Sequence, residues 1–269
     1  MFELSALVWN PDPEIFSLGS VTVRWYGLLW AVAIIGGYQT MAWIVKKEGR
    51  TDVDIDKLLI ILVLFIVLGA RLYHVLYNPA FYLAQPLEIL KVWKGGLASH
   101  GGTLGIIIGL WIYARRYRVS YMWLLDRMTL PAMVGAVFIR VGNFVNSEIL
   151  GTVTEQPWGV VFARIHDGGL VRHPVQLYEA SAYLAVFLLL LFVYLRKKST
   201  PRPGLLFAIL MITVFTSRYL LENFKTQIAA YKLDWGLSLG QLSSIPFILL
   251  GLVMLVVAVS RKDEPRHGS

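Results

Sequence analysis

Long apolar runs separated by short polar breaks dominate this chain. A helix that spans a bilayer needs roughly 20 mainly apolar residues, because the hydrocarbon core is about 30 Å thick and each residue adds about 1.5 Å. Charged residues and prolines divide the chain into runs of about that length. We therefore predict about seven transmembrane helices. Their approximate bounds are 21–45, 58–77, 97–113, 121–145, 174–195, 204–224 and 239–259.

The composition agrees with a chain that lies mostly in lipid. Hydrophobic residues make up 57% of the 269 residues and charged residues only 16%, which is too apolar for a soluble domain of this length. The first residues include Glu3, Asp12 and Glu14 but no basic cluster, so they do not resemble a cleaved signal peptide. We therefore expect an all-α integral membrane protein that keeps its first span.

The chain has no cysteine. This excludes disulfide bonds, thiolate metal sites and a cysteine nucleophile of the protein's own, so any reacting thiol must come from a substrate. No group of residues has the spacing of a metal site, and we expect neither a metal nor another cofactor.

Basic residues alternate between the two sides of the predicted spans. Fourteen of the 25 lysines and arginines fall in the loops after spans one, three and five or in the C-terminal tail, whereas six fall in the opposite loops. By the positive-inside rule, this asymmetry places the N-terminus outside and the C-terminus in the cytoplasm. It also explains the net charge of +8 without a nucleic-acid partner.

The chain shows no internal repeat or low-complexity segment, so we predict a single transmembrane domain, 1–269. Its longest outer connection, 146–173, lies between spans four and five and is rich in glycine. That composition favours a small, irregular extracytoplasmic head. The polar tail, 261–269, is expected to be a flexible cytoplasmic segment.

Ionisable residues within spans need an explanation, because each costs roughly 2.5 to 3.5 kcal/mol on insertion scales. With the predicted helix directions, Arg71, Arg140 and Arg218 lie near the outer ends of their spans, and Tyr26 and His100 reach the same level. A single arginine near a helix end can simply extend to the lipid headgroups. Several polar residues at one level favour a functional cluster instead.

Span four carries the densest polar pattern. Arg140, Asn143 and Ser147 are spaced to share one helical face, and Asn146 and Glu148 follow as the helix leaves the membrane. For the asparagines alone, a polar seam between helices is the alternative. An arginine, however, binds phosphate oxygens through two parallel hydrogen bonds and keeps its charge in lipid. The pattern therefore favours an anion site.

Two further candidates lie outside span four. Arg218 and Glu222 have the spacing of a helical ion pair, so they either neutralise each other or provide a second anion contact that Glu222 orients. His100 precedes Gly101 and Gly102, where a ligand and the backbone can approach closely. Its imidazole could exchange a proton with a thiol, or it could be structural.

Residues 140–151, the signature segment, read Arg-Val-Gly-Asn-Phe-Val-Asn-Ser-Glu-Ile-Leu-Gly. Segments 24–27, 95–102 and 172–179, and Arg218 with Glu222, accompany it in order and spacing. Together they resemble the motifs of the bacterial phosphatidylglycerol:prolipoprotein diacylglyceryl transferases, from the first span to the sixth.

Two positions depart from the common pattern of that family. Ile139 stands where relatives commonly have glycine, and Val214 stands where they commonly have tyrosine. The second departure leaves any role of that tyrosine unfilled or moves it to Tyr219.

The resemblance implies a reaction and a location. The family moves the diacylglyceryl group of phosphatidylglycerol onto the lipobox cysteine of a prolipoprotein signal peptide, which forms a thioether and releases glycerol 1-phosphate. This is the first step of bacterial lipoprotein maturation. The resemblance further implies a multi-pass protein of the bacterial cytoplasmic (inner) membrane, which takes its lipid from the bilayer and needs no cofactor.

The resemblance also implies roles for the candidate residues. Arg140 would hold the lipid phosphate, Arg218 would stabilise the charge that develops there, and Glu222 would orient Arg218. His100 would accept the thiol proton, although the arginines alone could also activate the thiol. The remaining members of the binding site would be Tyr26, Asn143, Asn146, Glu148 and Gly151.

Two other classes of protein explain the pattern less well. An anion transporter would also carry arginines in its spans, but its polar residues should continue past the bilayer midplane. The inner halves of spans one, five and seven are almost wholly apolar. A structural or assembly protein would leave five specific motifs unexplained. The sequence therefore favours the transferase.

Overall fold

A computed structural model describes residues 6–19, 21–196, 202–226 and 236–260, and most of them are helical. The predicted tail, 261–269, lies outside the described residues. The helices are α1 (Trp25–Lys47), α2 (Ile55–Tyr77), α3 (Pro79–Ala84), α4 (Ser99–Tyr117), α5 (Tyr121–Val145), α6 (Val175–Arg196), α7 (Leu205–Leu221) and α8 (Leu239–Ser260). The strands are β1 (Leu7–Trp9), β2 (Glu14–Leu18), β3 (Val21–Arg24), β4 (Val160–Phe162) and β5 (Val171–Arg172).

Six helices in the described part of the chain are long and apolar enough to cross a membrane. They are α1, α2, α5, α6, α8, and α7 together with the short helical turn that follows it to Phe224. The 19-residue α4 occupies the place of the predicted third span, but it is the least apolar of the long helices. The mainly helical, multi-pass character is therefore confirmed, whereas the count of seven and the orientation stay predictions.

The first span begins at Trp25 rather than at Val21, where the apolar run begins. Residues Val21–Arg24 form β3, which pairs antiparallel with β2. β-branched residues favour extended backbone, so this apolar run joins a strand to a helix. At the other end of α1, Lys46 and Lys47 lie in the last turn, where positive charge interacts favourably with the helix dipole.

The chain divides into two compact units, which share α1 and α5. Met1–Thr40 and Met128–Ser269 form the unit that contains the predicted head, and Met41–Arg127 forms the second unit. The prediction of a single catalytic domain stays a prediction.

In the second unit, α2 and α4 pack as an antiparallel pair through glycines. Gly69 of α2 faces Gly101 of α4, and Gly105 faces the backbone of Phe65. A methyl group on any of these glycines would overlap a backbone carbonyl of the other helix. Small residues let membrane helices approach closely, and this contact explains glycines that otherwise weaken a helix. Gly101 therefore serves helix packing rather than the approach of a ligand.

Arg71 holds a loop of the second unit in place. It is only 6% exposed and donates hydrogen bonds to the carbonyl oxygens of Ile89 (2.9 Å), Gly95 (2.7 Å), Gly96 (3.0 Å) and Glu88. Gly96 has a φ of +73°, and a Cβ there would collide with Arg71 Nη1, so only glycine fits. The prediction that Arg71 belongs to a ligand-binding cluster is not supported, because one loop occupies its guanidinium.

A second buried arginine joins the end of α1 to the start of α5 within this unit. Arg127 is 1% exposed, and its Nε donates to Glu48 Oε1 at 2.8 Å. The other oxygen of Glu48 accepts from Trp123 Nε1 at 2.7 Å. A buried arginine persists only with such compensation, so these contacts account for an arginine within the predicted fourth span.

The head contains an ordered sheet, where the sequence predicted an irregular segment. β1 pairs in parallel with β4, and β4 pairs antiparallel with β5. Trp9 packs on Phe144 with ring centroids 4.4 Å apart, and its Nε1 donates to the Phe144 carbonyl at 3.0 Å. The N-terminal segment is therefore part of the head and is fixed to the end of α5.

Arg172 ties the head to the segment after α7. Its Nε donates to Asp167 Oδ2 at 2.7 Å, and its Nη1 donates at 3.1 Å to both the Gly151 carbonyl and Thr226 Oγ1. The backbone N–H of Thr226 donates to the Leu150 carbonyl at 3.0 Å. The hydrogen bond from Arg172 also lowers the pKa of Asp167 from its ordinary value. These bonds fix the end of the signature segment against the chain that follows α7.

Candidate active site

Four alternating charges lie where α5, α6 and the segment after α7 meet. Arg140 Nε is 3.0 Å from Glu179 Oε2, and the other oxygen of Glu179 is 2.8 Å from Lys225 Nζ. Lys225 Nζ is in turn 3.2 Å from Glu222 Oε2. The Glu179 side chain is 0% exposed, and Lys225 and Glu222 are nearly buried. Because little solvent reaches these side chains to screen their charges, the opposite charges attract one another strongly.

These contacts use only part of the Arg140 guanidinium. Nη1 donates to Asn143 Oδ1 at 3.2 Å, and the guanidinium carbon lies 6.0 Å from the ring centroid of Tyr183. Nη2 makes no hydrogen bond with any residue that the structure describes. The Arg140 side chain is 14% exposed. It therefore keeps a hydrogen-bond donor for an anionic ligand.

The end of the signature segment folds back on α5. Asn143 Nδ2 donates to Glu148 Oε2 at 2.8 Å, and Asn146 Nδ2 donates to Glu148 Oε1 at 3.2 Å. Ser147 and Ile149 adopt positive φ angles of 57° and 54°, which are uncommon for residues other than glycine. This turn returns the exposed Glu148 to the two asparagines. The oriented carboxylate can accept hydrogen bonds from ligand hydroxyl groups.

Arg218 and Glu222 do not form the ion pair that their spacing suggests. α7 ends at Leu221, and a short helical turn, Glu222–Phe224, brings Lys225 against the Glu222 carboxylate instead. Gly240 of α8 packs so closely on that carboxylate that a methyl group would overlap it. Arg218 is partly buried and has no hydrogen bond or ion pair within the described ranges. In the described part of the chain, Arg218 therefore has no counter-ion, and Glu222 contacts Lys225 instead.

Tyr26 and Gly151 belong to the same unit as Arg140. The Tyr26 ring packs against Gly142 of α5, and its hydroxyl has no hydrogen-bond partner among the described residues. The Gly151 carbonyl accepts from Thr226 Oγ1 at 2.7 Å, and a methyl group on Gly151 would overlap the His173 carbonyl. Backbone packing alone therefore requires glycine at this position. Contact of Gly151 or Tyr26 with a substrate stays a prediction.

His100 belongs to the second unit, in the first turn of α4. It is exposed, and its ring stacks on Tyr73 of α2 with centroids 5.9 Å apart. An exposed imidazole held by one stacking contact can still exchange protons. Its role as a proton acceptor stays a prediction.

Comparison with known proteins covers nearly the whole chain. A sequence model of the prolipoprotein diacylglyceryl transferase family matches residues 13–257. The chain belongs to this family. The matched range includes every candidate site residue described above.

Curated relatives align along nearly their full length. A protein of Tolumonas auensis is 46% identical over 258 residues, which are 95% of this chain and 99% of the relative. A protein of Chloroherpeton thalassium is 44% identical over 259 residues, 96% of each chain. One of Porphyromonas gingivalis is 40% identical over 271 residues, 94% of this chain and 95% of the relative. Each is named phosphatidylglycerol–prolipoprotein diacylglyceryl transferase.

In this member of the diacylglyceryl transferase family, sequence reasoning does not identify Glu179 and Lys225 as site residues. Glu179 is the only carboxylate in the apolar α6, and an ionisable residue within a span is by itself a signal of function. Lys225 offers no such signal, because it follows a span and resembles any basic residue of an outer loop. Glu222 lies three residues before Lys225, but the contact of Lys225 with the buried Glu179 appears only in the fold.

The head also has an open, mainly apolar cleft of about 560 Å³. Trp158 and Tyr178 form part of its wall, and Trp158 Nε1 donates to the Tyr178 hydroxyl at 2.6 Å. That hydroxyl lies 3.0 Å from His173 Nδ1. Most residues of the 172–179 motif therefore contact the head, whereas Glu179 belongs to the charged site. Within the described ranges, no three His, Cys, Asp or Glu side chains converge to hold a metal.

Proposed function

We propose that this chain transfers the diacylglyceryl group of phosphatidylglycerol to the lipobox cysteine of prolipoproteins. The observation that carries the proposal is the full-length match to relatives named for this activity, at up to 46% identity. The side chains add chemical support, because Arg140 keeps a hydrogen-bond donor that no described residue uses and Arg218 has no counter-ion among the described residues. A phosphodiester needs such positive groups.

The reaction displaces a phosphate ester at an sp3 carbon of glycerol. The cysteine sulfur supplies an electron pair to that carbon, the carbon–oxygen bond to phosphate breaks, and the electron pair leaves with glycerol 1-phosphate. Negative charge therefore grows on the leaving phosphate as the thioether forms. Arg140 binds the phosphate through Nη2, and Arg218 stabilises the growing charge.

The rest of the headgroup is a glycerol with free hydroxyl groups. The Glu148 carboxylate, held by Asn143 and Asn146, accepts hydrogen bonds from those hydroxyls. Tyr26, at the start of α1, has a hydroxyl that no described residue engages, and this hydroxyl can bind the same headgroup. Glu148 and Tyr26 therefore select the headgroup through its neutral hydroxyl groups, and the arginines select the phosphodiester through its charge.

The thiol proton must leave before or during the attack, since the thiolate is the nucleophile. His100 accepts this proton in the proposed mechanism. The alternative is that the field of the arginines lowers the cost of the thiolate and the proton passes to water or phosphate.

The proposed location follows from the substrates. Prolipoproteins and phosphatidylglycerol meet in the bacterial cytoplasmic (inner) membrane, and we place the N-terminus and the head on its outer side with seven spans and a cytoplasmic C-terminus. The charge distribution of the sequence supports this orientation.

The test uses purified full-length protein in detergent with phosphatidylglycerol and a synthetic lipobox peptide. Mass spectrometry should find the peptide heavier by one diacylglyceryl group, with glycerol phosphate released in equal amount. A peptide with serine in place of the cysteine is the control and should stay unmodified. Release of glycerol phosphate without any lipidated peptide would mean that the protein is a lipid hydrolase.

A further inference from the structure

Glu179 and Lys225 have no part in the proposed reaction, yet they are buried beside Arg140. The two oxygens of Glu179 are divided between two cations, with Oε2 closest to Arg140 Nε at 3.0 Å and Oε1 closest to Lys225 Nζ at 2.8 Å. Neither oxygen accepts a well-aligned hydrogen bond from a described residue. The carboxylate is therefore held by charge from both sides rather than by one fixed partner.

An arginine beside a buried carboxylate has a preferred alternative. Its planar fork matches both carboxylate oxygens, and two parallel hydrogen bonds are the strongest arrangement available. Arg140 does not adopt it here, since Nη1 donates to Asn143 and Nη2 donates to no described residue. Lys225 lies at the oxygen that a second bond would need.

We propose that Lys225 is a positioning residue for Arg140. By holding one oxygen of Glu179, Lys225 limits Arg140 to a single contact with this carboxylate and leaves Nη2 for the lipid phosphate. This inference rests on the proposed function, because it explains how Arg140 stays available to phosphatidylglycerol.

Lys225 is itself fixed from two directions. Its Nζ lies 3.2 Å from Glu222 Oε2, and its backbone forms an antiparallel bridge with Gly151. The side chain is only 11% exposed, so it has little freedom to leave the two carboxylates. Glu222 therefore acts on Arg140 through Lys225 and Glu179, and the last residue of the signature segment holds the backbone of Lys225.

The experiment compares substitutions at the two positions in the peptide lipidation assay. Lys225→Met should raise the KM for phosphatidylglycerol by about 30-fold or more, the usual scale for losing one partner of a buried charge pair. The KM for the peptide should stay within about twofold, because the peptide does not bind through Arg140. Lys225→Arg should keep most activity, since a guanidinium can also hold Glu179 and Glu222. Lys57→Met, at an exposed ion pair, is the matched control and should behave as the wild type.

The deciding variant is Lys225→Met combined with Glu179→Gln. A neutral glutamine cannot capture Arg140 as a carboxylate does, so the double variant should bind phosphatidylglycerol better than Lys225→Met alone. If Lys225 instead touches the phosphate directly, the second substitution would bring no recovery, and the proposal would be wrong. An equal rise of both KM values together with a loss of thermal stability would indicate a merely structural role of Lys225. That result would likewise overturn the proposal. Failure of the wild-type protein to lipidate the peptide would refute the proposed function instead.

Discussion

Arg140 contacts different acceptors through different nitrogens, and this geometry decides what a substitution can preserve. Nε approaches Glu179 and Nη1 donates to Asn143, while Nη2 makes no hydrogen bond with a described residue. A lysine ammonium is a single point of charge on a flexible stem, so it cannot reach Glu179, Asn143 and a phosphate together. We therefore expect Arg140→Lys to lose about 100-fold in kcat/KM, although the charge is kept.

The measurement is the initial rate of peptide lipidation per amount of folded protein. Arg115→Lys is the matched control, because Arg115 is exposed and lies over the ring of Trp111 in the C-terminal part of α4. Its activity should be unchanged. Near-normal turnover of Arg140→Lys would show that charge alone suffices at this site.

The proposed roles of His100 and Arg218 can be distinguished by the pH dependence of two variants. A proton acceptor becomes dispensable when alkaline solution already supplies the thiolate, whereas stabilisation of the leaving phosphate does not. His100→Gln should therefore lose activity at neutral pH and recover part of it as the pH rises towards about 8.5, the pKa of a free thiol. Arg218→Gln should not recover.

Rates normalised to folded protein, measured from about pH 6 to 9.5, give this comparison. The wild-type profile is recorded in parallel. Dividing each variant's rate by the wild-type rate at the same pH removes the effect of peptide ionisation. If the two variants give parallel profiles, His100 is not the base and thiol activation belongs to the arginines.

At the scale of elements, the contact between α2 and α4 gives the sharpest prediction. A methyl group on Gly101 would overlap the Gly69 carbonyl and the Cβ of Tyr73, so Gly101→Ala should destabilise the protein by about 1–3 kcal/mol through overpacking. Gly135→Ala in α5 is the control, because nothing lies within 4 Å of a Cβ there. Alanine's higher helix propensity should leave that variant as stable as the wild type or slightly more stable.

Thermal inactivation in detergent measures both variants. Equal stability of the Gly101→Ala and Gly135→Ala proteins would mean that α2 and α4 do not pack as closely as this structure shows.

The head gives a prediction about pH. The hydrogen bond from Arg172 lowers the pKa of Asp167 in the folded protein. This contact therefore contributes stability above the pKa of the unfolded aspartate, and the contribution is lost as pH falls through the lower, folded value. We expect faster amide exchange in residues 146–173 below about pH 4, after correction for intrinsic rates.

Asp167→Asn should exchange faster at neutral pH already and should show a smaller acid-dependent change. If the variant and the wild type respond to acid alike, the Asp167 to Arg172 contact does not hold the head.

Sequence patterns predict the long elements of this protein well and the short ones poorly. Six spans follow from apolar runs alone, because a bilayer demands a length that few other structures need. β1 and β4 have three residues each and pair across more than 150 residues, so no local periodicity marks them. The predicted start of the first span is wrong, because an apolar strand that directly precedes an apolar helix cannot be told from the helix by hydrophobicity.

In the candidate site, too, local spacing predicts some contacts and not others. Arg140 and Asn143 have the spacing of one helical face, which indicates their contact, whereas the contacts of Glu148 with Asn143 and Asn146 depend on the turn after α5. Spacing alone does not decide the partner of Glu222, because Arg218 and Lys225 lie four and three residues away and, of the two, Lys225 contacts the carboxylate. Gly240 of α8 packs on the same carboxylate, and a local pattern does not contain that contact.

At the scale of the whole molecule, the orientation in the membrane decides whether the proposed reaction is possible. The lipobox cysteine and the charged site must lie on the same side of the bilayer, and the excess of basic residues in alternate loops predicts that the head lies outside. A chain without cysteine makes the test direct. Thr51→Cys and Glu155→Cys each place one exposed thiol, the first between α1 and α2 and the second in the head.

An impermeant maleimide added to intact spheroplasts should label Glu155→Cys and leave Thr51→Cys unlabelled, and both should react after the membrane is opened. Both variants must retain lipidation activity, which shows that each carries the native fold. An odd number of spans also requires the two ends of the chain to lie on opposite sides, so a cysteine in place of Ser269 should behave as Thr51→Cys does. Labelling of Thr51→Cys in sealed spheroplasts would show that the orientation is the opposite of the predicted one. If the variant at Ser269 is labelled while Thr51→Cys and Glu155→Cys are not, α4 does not span the membrane.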